Sequence, residues 1–336
     1  MNILLTSAGR RTYLVKYFRN ALRGKGRVYA SNSILTYTLT QADEFIITPN
    51  IYDEEYISFL LKYCCRKHIS VVISLFDIDL PILAQNKQEF LDNGINLLVS
   101  DYEVTKICND KWGTYKYLSD LRLSQPKSYI SIDAAKRALY NKEVEFPLIL
   151  KPRWGMGSIG IYTIYTEQEL DVLYRKLHSE IFETYLRYES QIDAEQCIII
   201  QEKIIGDEYG LEIINDLKGA YVTTFAKRKL AMRSGETDIA EIVDSSEFVK
   251  TANIISNNLK HIGVLDCDCF KTDSGDLIIL EMNCRFGGQY PFSHIAGADV
   301  PKQIINWLEG KDTDMSLLNP RIGVKCCKEV VPVEML

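Results

Sequence analysis

Apolar residues near the start of the chain come in short runs separated by amphipathic stretches. Asn2–Thr6, Val28–Ser31, Phe45–Thr48 and Val71–Leu75 read as strands; helical spacing follows Ser7–Arg11 through Leu22 and spans about Asp53 to Lys67. Strands alternating with helices predict a parallel sheet with helical crossovers, in which ligands bind beyond the carboxyl ends of the strands. Ser7–Arg11 and Asp77 with Asp79 stand at such ends, although the two aspartates read equally well as caps of a helix starting near Leu80-Pro81. Ser7-Ala-Gly-Arg-Arg has one glycine where a dinucleotide fingerprint needs three, which argues against a nicotinamide cofactor.

A boundary is expected near Ser100–Val104, after which the pattern changes. Asn109 or Asp110 caps a helix running to about Leu121, and Ser128–Tyr140 reads as strand then helix. Phe146–Leu150 is an apolar strand leading into Lys151-Pro-Arg-Trp-Gly-Met-Gly-Ser-Ile-Gly160, with Ile161–Ile164 as the returning strand. Glycines here let backbone N–H groups face an anion, so a mobile phosphate-covering hairpin competes with an ordinary turn; no Gly-Lys-Ser/Thr follows, so it is not a P-loop. Glu167–Glu189 reads as a surface helix and Cys197–Gln201 as a buried strand. That strand's charged exit, Glu202 to Glu208, is either solvated or able to meet the edge of a planar base. Leu211–Asn215 and Tyr221–Ala226 form a hairpin, and the basic run Lys227–Gly235 is expected as a solvated loop or as charge neutralisation for phosphates.

The densest chemistry lies late. A helix at Phe248–Ile262 precedes Asp266–Phe270, which alternates polar and apolar residues, and a turn at Lys271–Asp276 leads to Leu277–Gly288. Alternation places Glu281, Asn283 and Arg285 on one face, and the hairpin brings Asp268 beside Glu281. Two facing acids repel unless a cation lies between them, and oxygen donors in this set suit a hard cation such as Mg²⁺. Gln289–His294 follows within reach of a substrate, and Val300–Leu308 is a last amphipathic helix.

Composition narrows the partners. A chain of 336 residues, 46% hydrophobic and 25% charged, buries a sizeable core in two or three domains. Its net charge of −6 argues against a nucleic-acid binder. No apolar run is long enough for a membrane span and Met1–Ser7 lacks a signal peptide's charged start, so a cytoplasmic protein without a membrane partner is expected. The nine cysteines and four histidines show no metal-ligand spacing.

Taken in order, Asp110-Lys111, Lys151 with its glycine loop, Gln201-Glu202-Lys203 with Glu208, Asp268, and Glu281-Met-Asn283-Cys-Arg285 resemble the ATP-grasp superfamily, in its carbamoyl-phosphate-synthase-like, carboxylate–amine ligase branch. The resemblance implies an α/β fold, α+β in the ATP-binding part: a Rossmann-like pre-ATP-grasp domain (1–105), a two-subdomain ATP-grasp fold (106–310) with its lid at about 126–200, and a C-terminal extension (311–336). It also implies roles. Lys111 and Lys151 contact ATP phosphates under a lid of Gly155, Met156, Gly157, Ser158 and Gly160. Glu202, Lys203 and Ile204 line the adenine and Glu208 the ribose; Asp268, Glu281 and Asn283 hold one or two Mg²⁺ ions, with Mn²⁺ an alternative. Arg285 steadies the transferring phosphoryl group, with Lys151, and Arg233 lies near the γ-phosphate or acceptor. Cys284 stands where the family usually has proline, and Asp268 where a longer acid is common, which leaves the number of metals open.

The activity implied is ATP-dependent amide formation through an acyl phosphate, from small-molecule carboxylate and amine substrates, amino acids among them. Carbamoyl- or carboxy-phosphate synthesis and a silent nucleotide-binding regulator are the alternatives. A homodimer is the default assembly.

Overall fold

The computed structural model describes residues 1–155 and 159–335, so Met156, Gly157 and Ser158, three of the expected lid residues, lie outside it. Strands β1 (Ile3–Thr6), β2 (Val28–Asn32), β3 (Glu44–Ile47), β4 (Val71–Ser74) and β5 (Asn96–Leu97) form an all-parallel sheet in the order β3-β2-β1-β4-β5. β1 and β4 are buried along their whole length, as central parallel strands covered on both faces must be. The chain order reverses between β1 and β4, so the crevice beyond their carboxyl ends is a binding position.

Asp77 and Asp79 do not cap the helix there. Asp79 lies inside its first turn, fully buried, and accepts bonds from Thr6, Ser7, Tyr56 and Ser74. Burial raises its pKa even against those donors. Asp77 instead reaches across the molecule to Arg285.

The second sheet is β6 (Ser128–Tyr129), β7 (Leu148–Pro152), β8 (Tyr162–Ile164) and β9 (Ile198–Glu202), antiparallel in the order β6-β9-β7-β8. Helix Glu167–Glu183 covers it with Leu170, Leu177 and Ile181. The helix stops short of the expected Glu189, because Thr184 turns to extended backbone (φ −113°, ψ −179°) and a separate short helix, Arg187–Ser190, follows.

The third sheet comprises β10 (Asp207–Asn215), β11 (Tyr221–Arg233), β12 (Glu236–Val243), β13 (Val264–Lys271), β14 (Leu277–Asn283) and β15 (Lys325–Cys327), in the order β14-β13-β10-β11-β12-β15. Here the expected loop at Lys227–Gly235 is corrected: β11 continues through Arg233 and pairs antiparallel with β12. The run stays in the sheet because its alternate lysines find acids on neighbouring strands, so their charge is neutralised without solvent. β15 adds an edge strand from the chain's last residues. Leu211, Ile213, Leu265, Cys267 and Met282 turn into the core under helix Ser246–Leu259, leaving the opposite face polar. Among the described residues no helix is long and apolar enough to cross a membrane.

Candidate active site

Register across the third sheet builds the site. Glu281 on β14 opposes Asp268 on β13, which opposes Gly210 on β10, which opposes Lys227 on β11. One step along, Asn283, Asp266, Glu212 and Phe225 form a second row. Residues two apart share a face, so both rows point to the same side.

Acids crowded in this way need cations, and three lysines supply them. Lys229 Nζ, its side chain 3% exposed, lies 2.7 Å from Glu208 and 2.8 Å from Asp268. Although burial opposes its charge, Asp268 and Glu208 hold the Lys229 pKa above the ordinary value. Burial pushes Asp268 up to about 6 against the pull of Lys229. Lys151, at the end of β7, is buried, which lowers it to about 8; Glu281 pulls the other way. Glu281 is half-buried, and Lys111 and Lys151 hold its pKa below the ordinary value despite the burial. Among the described residues its one hydrogen bond is from Asn283 Nδ2 at 3.3 Å.

Lys111 is placed by a buried clamp. Asp110 caps helix Lys111–Asp120 by accepting from Trp112 N, and Arg153 donates to both its oxygens at 2.7 Å. Such a bidentate pair fixes orientation as well as charge. Arg153 sits two residues beyond Lys151, so the clamp binds the two lysines' strand and helix together, and Lys111 Nζ reaches the Gly155 carbonyl.

Arg285 leaves β14 and bridges the first and third sheets. Its guanidinium is 3.0 Å from Asp77 and 2.7 Å from Asp266. Gln289 Nε2 joins Asp266 (2.7 Å) to Asp268 (3.2 Å). Two glycines make room for this network. A Cβ on Gly210 would stand 1.7 Å from Gln289 Oε1, and one on Gly287 2.3 Å from the Asp266 carboxyl carbon.

Residues 3–98 match the family model for the PylC-like N-terminal domain, and residues 144–291 match that for the ATP-grasp domain. Residues 144–291 thus carry an ATP-grasp domain, preceded by a PylC-like N-terminal domain. The arginine-specific large chain of carbamoyl phosphate synthase from Bacillus subtilis is 23% identical over 274 residues, 76% of this chain and 25% of that protein. The chain thus spans about a quarter of that relative's length. Among solved structures, L-amino acid ligase from Bacillus licheniformis superposes with a TM-score of 0.74 at 16% identity, covering 99% of this chain and 81% of that one. Biotin carboxylase from Campylobacter jejuni, solved as a β-γ-ATP complex, gives 0.74 at 16% identity over 96% and 74%. The fold is therefore the ATP-grasp fold behind a parallel α/β domain.

The structure gathers Lys111, Lys151, Asp268, Glu281, Asn283 and Arg285 around one end of the third sheet. Gly155 and Gly160 lie within the β7–β8 connection. Glu202 ends β9, its carboxylate accepting from Lys127 N at 3.2 Å, and Lys203 and Ile204 lead from it into β10, where Glu208 meets Lys229. Arg233 is not brought to the cluster: it sits 56% exposed at the end of β11, paired with Asp238 at 2.9 Å. Sequence reading placed Lys229 only within the basic run and Gln289 only within reach of a substrate, and it missed Asp266 as part of this centre. Lys229 and Glu208 carried a readable signal, since each lies on an alternating strand with its charge on the polar face. Cys284 points into the core beside Cys108, away from the acids.

Among the described residues no three Asp, Glu, His or Cys side chains converge as a metal-binding group. Mg²⁺ does not require that; it commonly takes one or two carboxylates and completes its shell with phosphate and water. The opposed oxygens of Asp268 and Glu281, with Glu281 accepting one long bond, fit such an ion.

Proposed function

We propose that the chain is an ATP-dependent carboxylate–amine ligase, forming an amide or peptide-like bond through an acyl phosphate and releasing ADP and phosphate. The observation that carries this reading is the acid pair Asp268 and Glu281, in register, faced by Lys111, Lys151 and Lys229 with Arg285 one step beyond. That order, acids then lysines then arginine, matches the charge of a nucleotide's phosphates followed by an anionic acceptor. In this reading residues 1–105 form the pre-ATP-grasp domain, 106–310 the ATP-grasp unit with its lid at about 126–200, and 311–336 the extension.

ATP enters with its base against Glu202, Lys203 and Ile204 and its ribose toward Glu208. Lys111 and Lys151 bind the phosphates; the ordinary charge of Lys151, weakened by burial, is restored as the phosphate anion arrives. Asp268, Glu281 and Asn283 hold Mg²⁺, which when bound neutralises phosphate charge and orients the γ-phosphoryl group. The substrate carboxylate docks near Arg285 and attacks the γ-phosphorus in line. A transfer of this kind needs positioning and cations on the phosphoryl oxygens, with no protein nucleophile. An amine then attacks the carbonyl carbon and expels phosphate. The β7–β8 hairpin excludes water that would hydrolyse the acyl phosphate.

Phosphorus NMR of the protein with Mg-ATP and pooled amino acids and common carboxylates tests this. ADP and inorganic phosphate appearing only with the pool support it, and splitting the pool names the substrates. AMP with pyrophosphate overturns it.

A further inference from the structure

An amine substrate reaches a neutral-pH active site as an ammonium ion and must lose a proton before it can attack a carbonyl. Near the proposed transfer site most acids are already engaged. Glu208 and Asp268 share Lys229, and Asp77 and Asp266 share Arg285. Glu189 differs. It lies on the short helix Arg187–Ser190, 7% exposed, and one oxygen accepts from Asn109, two residues before Lys111. Its other oxygen, Oε2, has no partner among the described residues.

The wall facing Glu189 comes from the first domain. Tyr52, in the loop after β3, lays its ring flat on Tyr188 at 4.3 Å, with 18° between the planes. The Tyr52 hydroxyl is buried and likewise without a partner among the described residues, and Glu189 is the charge that acts on it most strongly. Asp77, from the end of β4, and Lys111 both act on Glu189 as well. A carboxylate oxygen and a hydroxyl buried without partners are costly, and native structures keep such pairs where something else supplies the bonds. A group with several N–H donors and a positive charge is the complement. Its donors fit Glu189 and Tyr52, and the stacked tyrosine faces suit a cation.

We propose, on the basis of the ligase reading above, that Glu189 and Tyr52 form the amine subsite, where Glu189 takes the proton from a primary ammonium substrate. The N–H bond breaks with its electron pair kept on nitrogen, and the proton forms an O–H bond on Glu189. The neutral amine attacks the acyl phosphate, the C–N bond forms, and the C–O bond to the phosphoryl group breaks. The amide nitrogen's surplus proton leaves with the phosphate as hydrogen phosphate. Burial, opposed by the Asn109 bond and by Lys111, pushes Glu189 up to about 7, so its carboxyl can release and hold a proton near neutral pH. The groups facing it are Lys111, Asp77, Asp110 and Tyr185, with Tyr52 from the opposite wall.

The test compares two nucleophiles on the full chain. Hydroxylamine is mostly uncharged at neutral pH and traps acyl phosphates as hydroxamates without a proton acceptor; the twenty proteinogenic amino acids and putrescine serve as ammonium probes. In Glu189→Gln, amide formation from the ammonium probes falls by roughly 100-fold or more. Its hydroxamate formation stays within about threefold of wild type, since a positioned acid–base group acts only on the proton-transfer step. Tyr52→Phe, which keeps the ring stack, raises KM for the amine several-fold and leaves kcat with hydroxylamine unchanged. The proposal is overturned if Glu189→Gln forms amide at the wild-type rate, or loses both products equally. If wild type makes neither product from any pooled carboxylate, the ligase reading itself falls. Hydroxamate without amide from any ammonium probe, in the wild type, overturns the amine subsite alone.

Discussion

Replacing Lys227 by methionine tests how the site's scaffold is held. Lys227 and Glu212 are both fully buried, with Nζ 2.7 Å from Oε1. Ser293 accepts from Lys227 at 3.0 Å and donates to the other Glu212 oxygen, which fastens helix Tyr290–Ile295 onto the sheet. Gln289 immediately precedes that helix, so the buried pair also positions the residue bridging Asp266 and Asp268. Methionine preserves most of the volume and removes the charge, leaving Glu212 buried and unpaired. Breaking such a pair costs about 3–5 kcal/mol. Glu212 is already raised by burial against the pull of Lys227, and losing Lys227 raises it further. The variant's carboxyl then binds a proton folded that it does not bind unfolded. Between its unfolded pKa, near 4.5, and its raised folded one, stability therefore falls as pH rises, by up to about 1.4 kcal/mol per unit. Urea unfolding at pH 7 and pH 5.5 should show Lys227→Met far less stable than wild type at the higher pH and closer to it at the lower. Lys227→Met with Glu212→Leu should recover most of the loss. A single-variant cost under about 1 kcal/mol, or a double variant no better than the single, refutes the reasoning.

Other outcomes follow from the same geometry. Gly210→Ala should push Gln289 out of its notch, since the new Cβ would lie 1.7 Å from Oε1. Losing charge-assisted bonds worth roughly 1.5–3 kcal/mol each should lower the melting temperature, with part of the loss returned by adding Gln289→Ala. His261 is fully buried, donating from Nε2 to the Ile213 carbonyl at 3.1 Å, and burial lowers it to about 4. It contributes stability that is full above pH 6.5 and lost as pH falls through about 4, about 3 kcal/mol in all, so His261→Gln should flatten the acid limb of a stability–pH curve. Asp268→Asn and Glu281→Gln should each abolish the magnesium-dependent part of the thermal stabilisation by ADP; a full magnesium effect in either variant would remove that residue from the metal set.

The acid hairpin was legible in part: alternation within Asp266–Phe270 and within Glu281–Asn283 sets which side chains share a face, but the turn's own register would set Leu280 opposite Asp268, and a β-bulge between Asp268 and Cys269, which no local pattern carries, brings Glu281 there instead. The centre of the parallel first sheet was legible because β1 and β4 are continuous apolar runs, whereas the two-residue β5 at its edge was not read. The basic run on β11 was misread because charge on its own suggests solvent. Lys227 is buried only because Glu212 lies on the adjacent strand, and Lys229 only because Glu208 and Asp268 do. Arg285 with Asp77 illustrates what no local pattern carries: partners 208 residues apart, brought together when two domains pack. Glu189 read as part of a surface helix, and its burial comes from Asn109 and the first domain's Tyr52 loop, neither of which its own segment reveals.

The acyl phosphate is the centre of the account, and oxygen transfer tests it most directly. Once pooled substrates have named the carboxylate, the reaction is run with that carboxylate labelled with oxygen-18, and the product phosphate is read by its isotope-shifted phosphorus resonance. Attack by the carboxylate on the γ-phosphorus predicts phosphate carrying a single labelled oxygen, formed together with ADP. Unlabelled phosphate in the presence of amide product would contradict it.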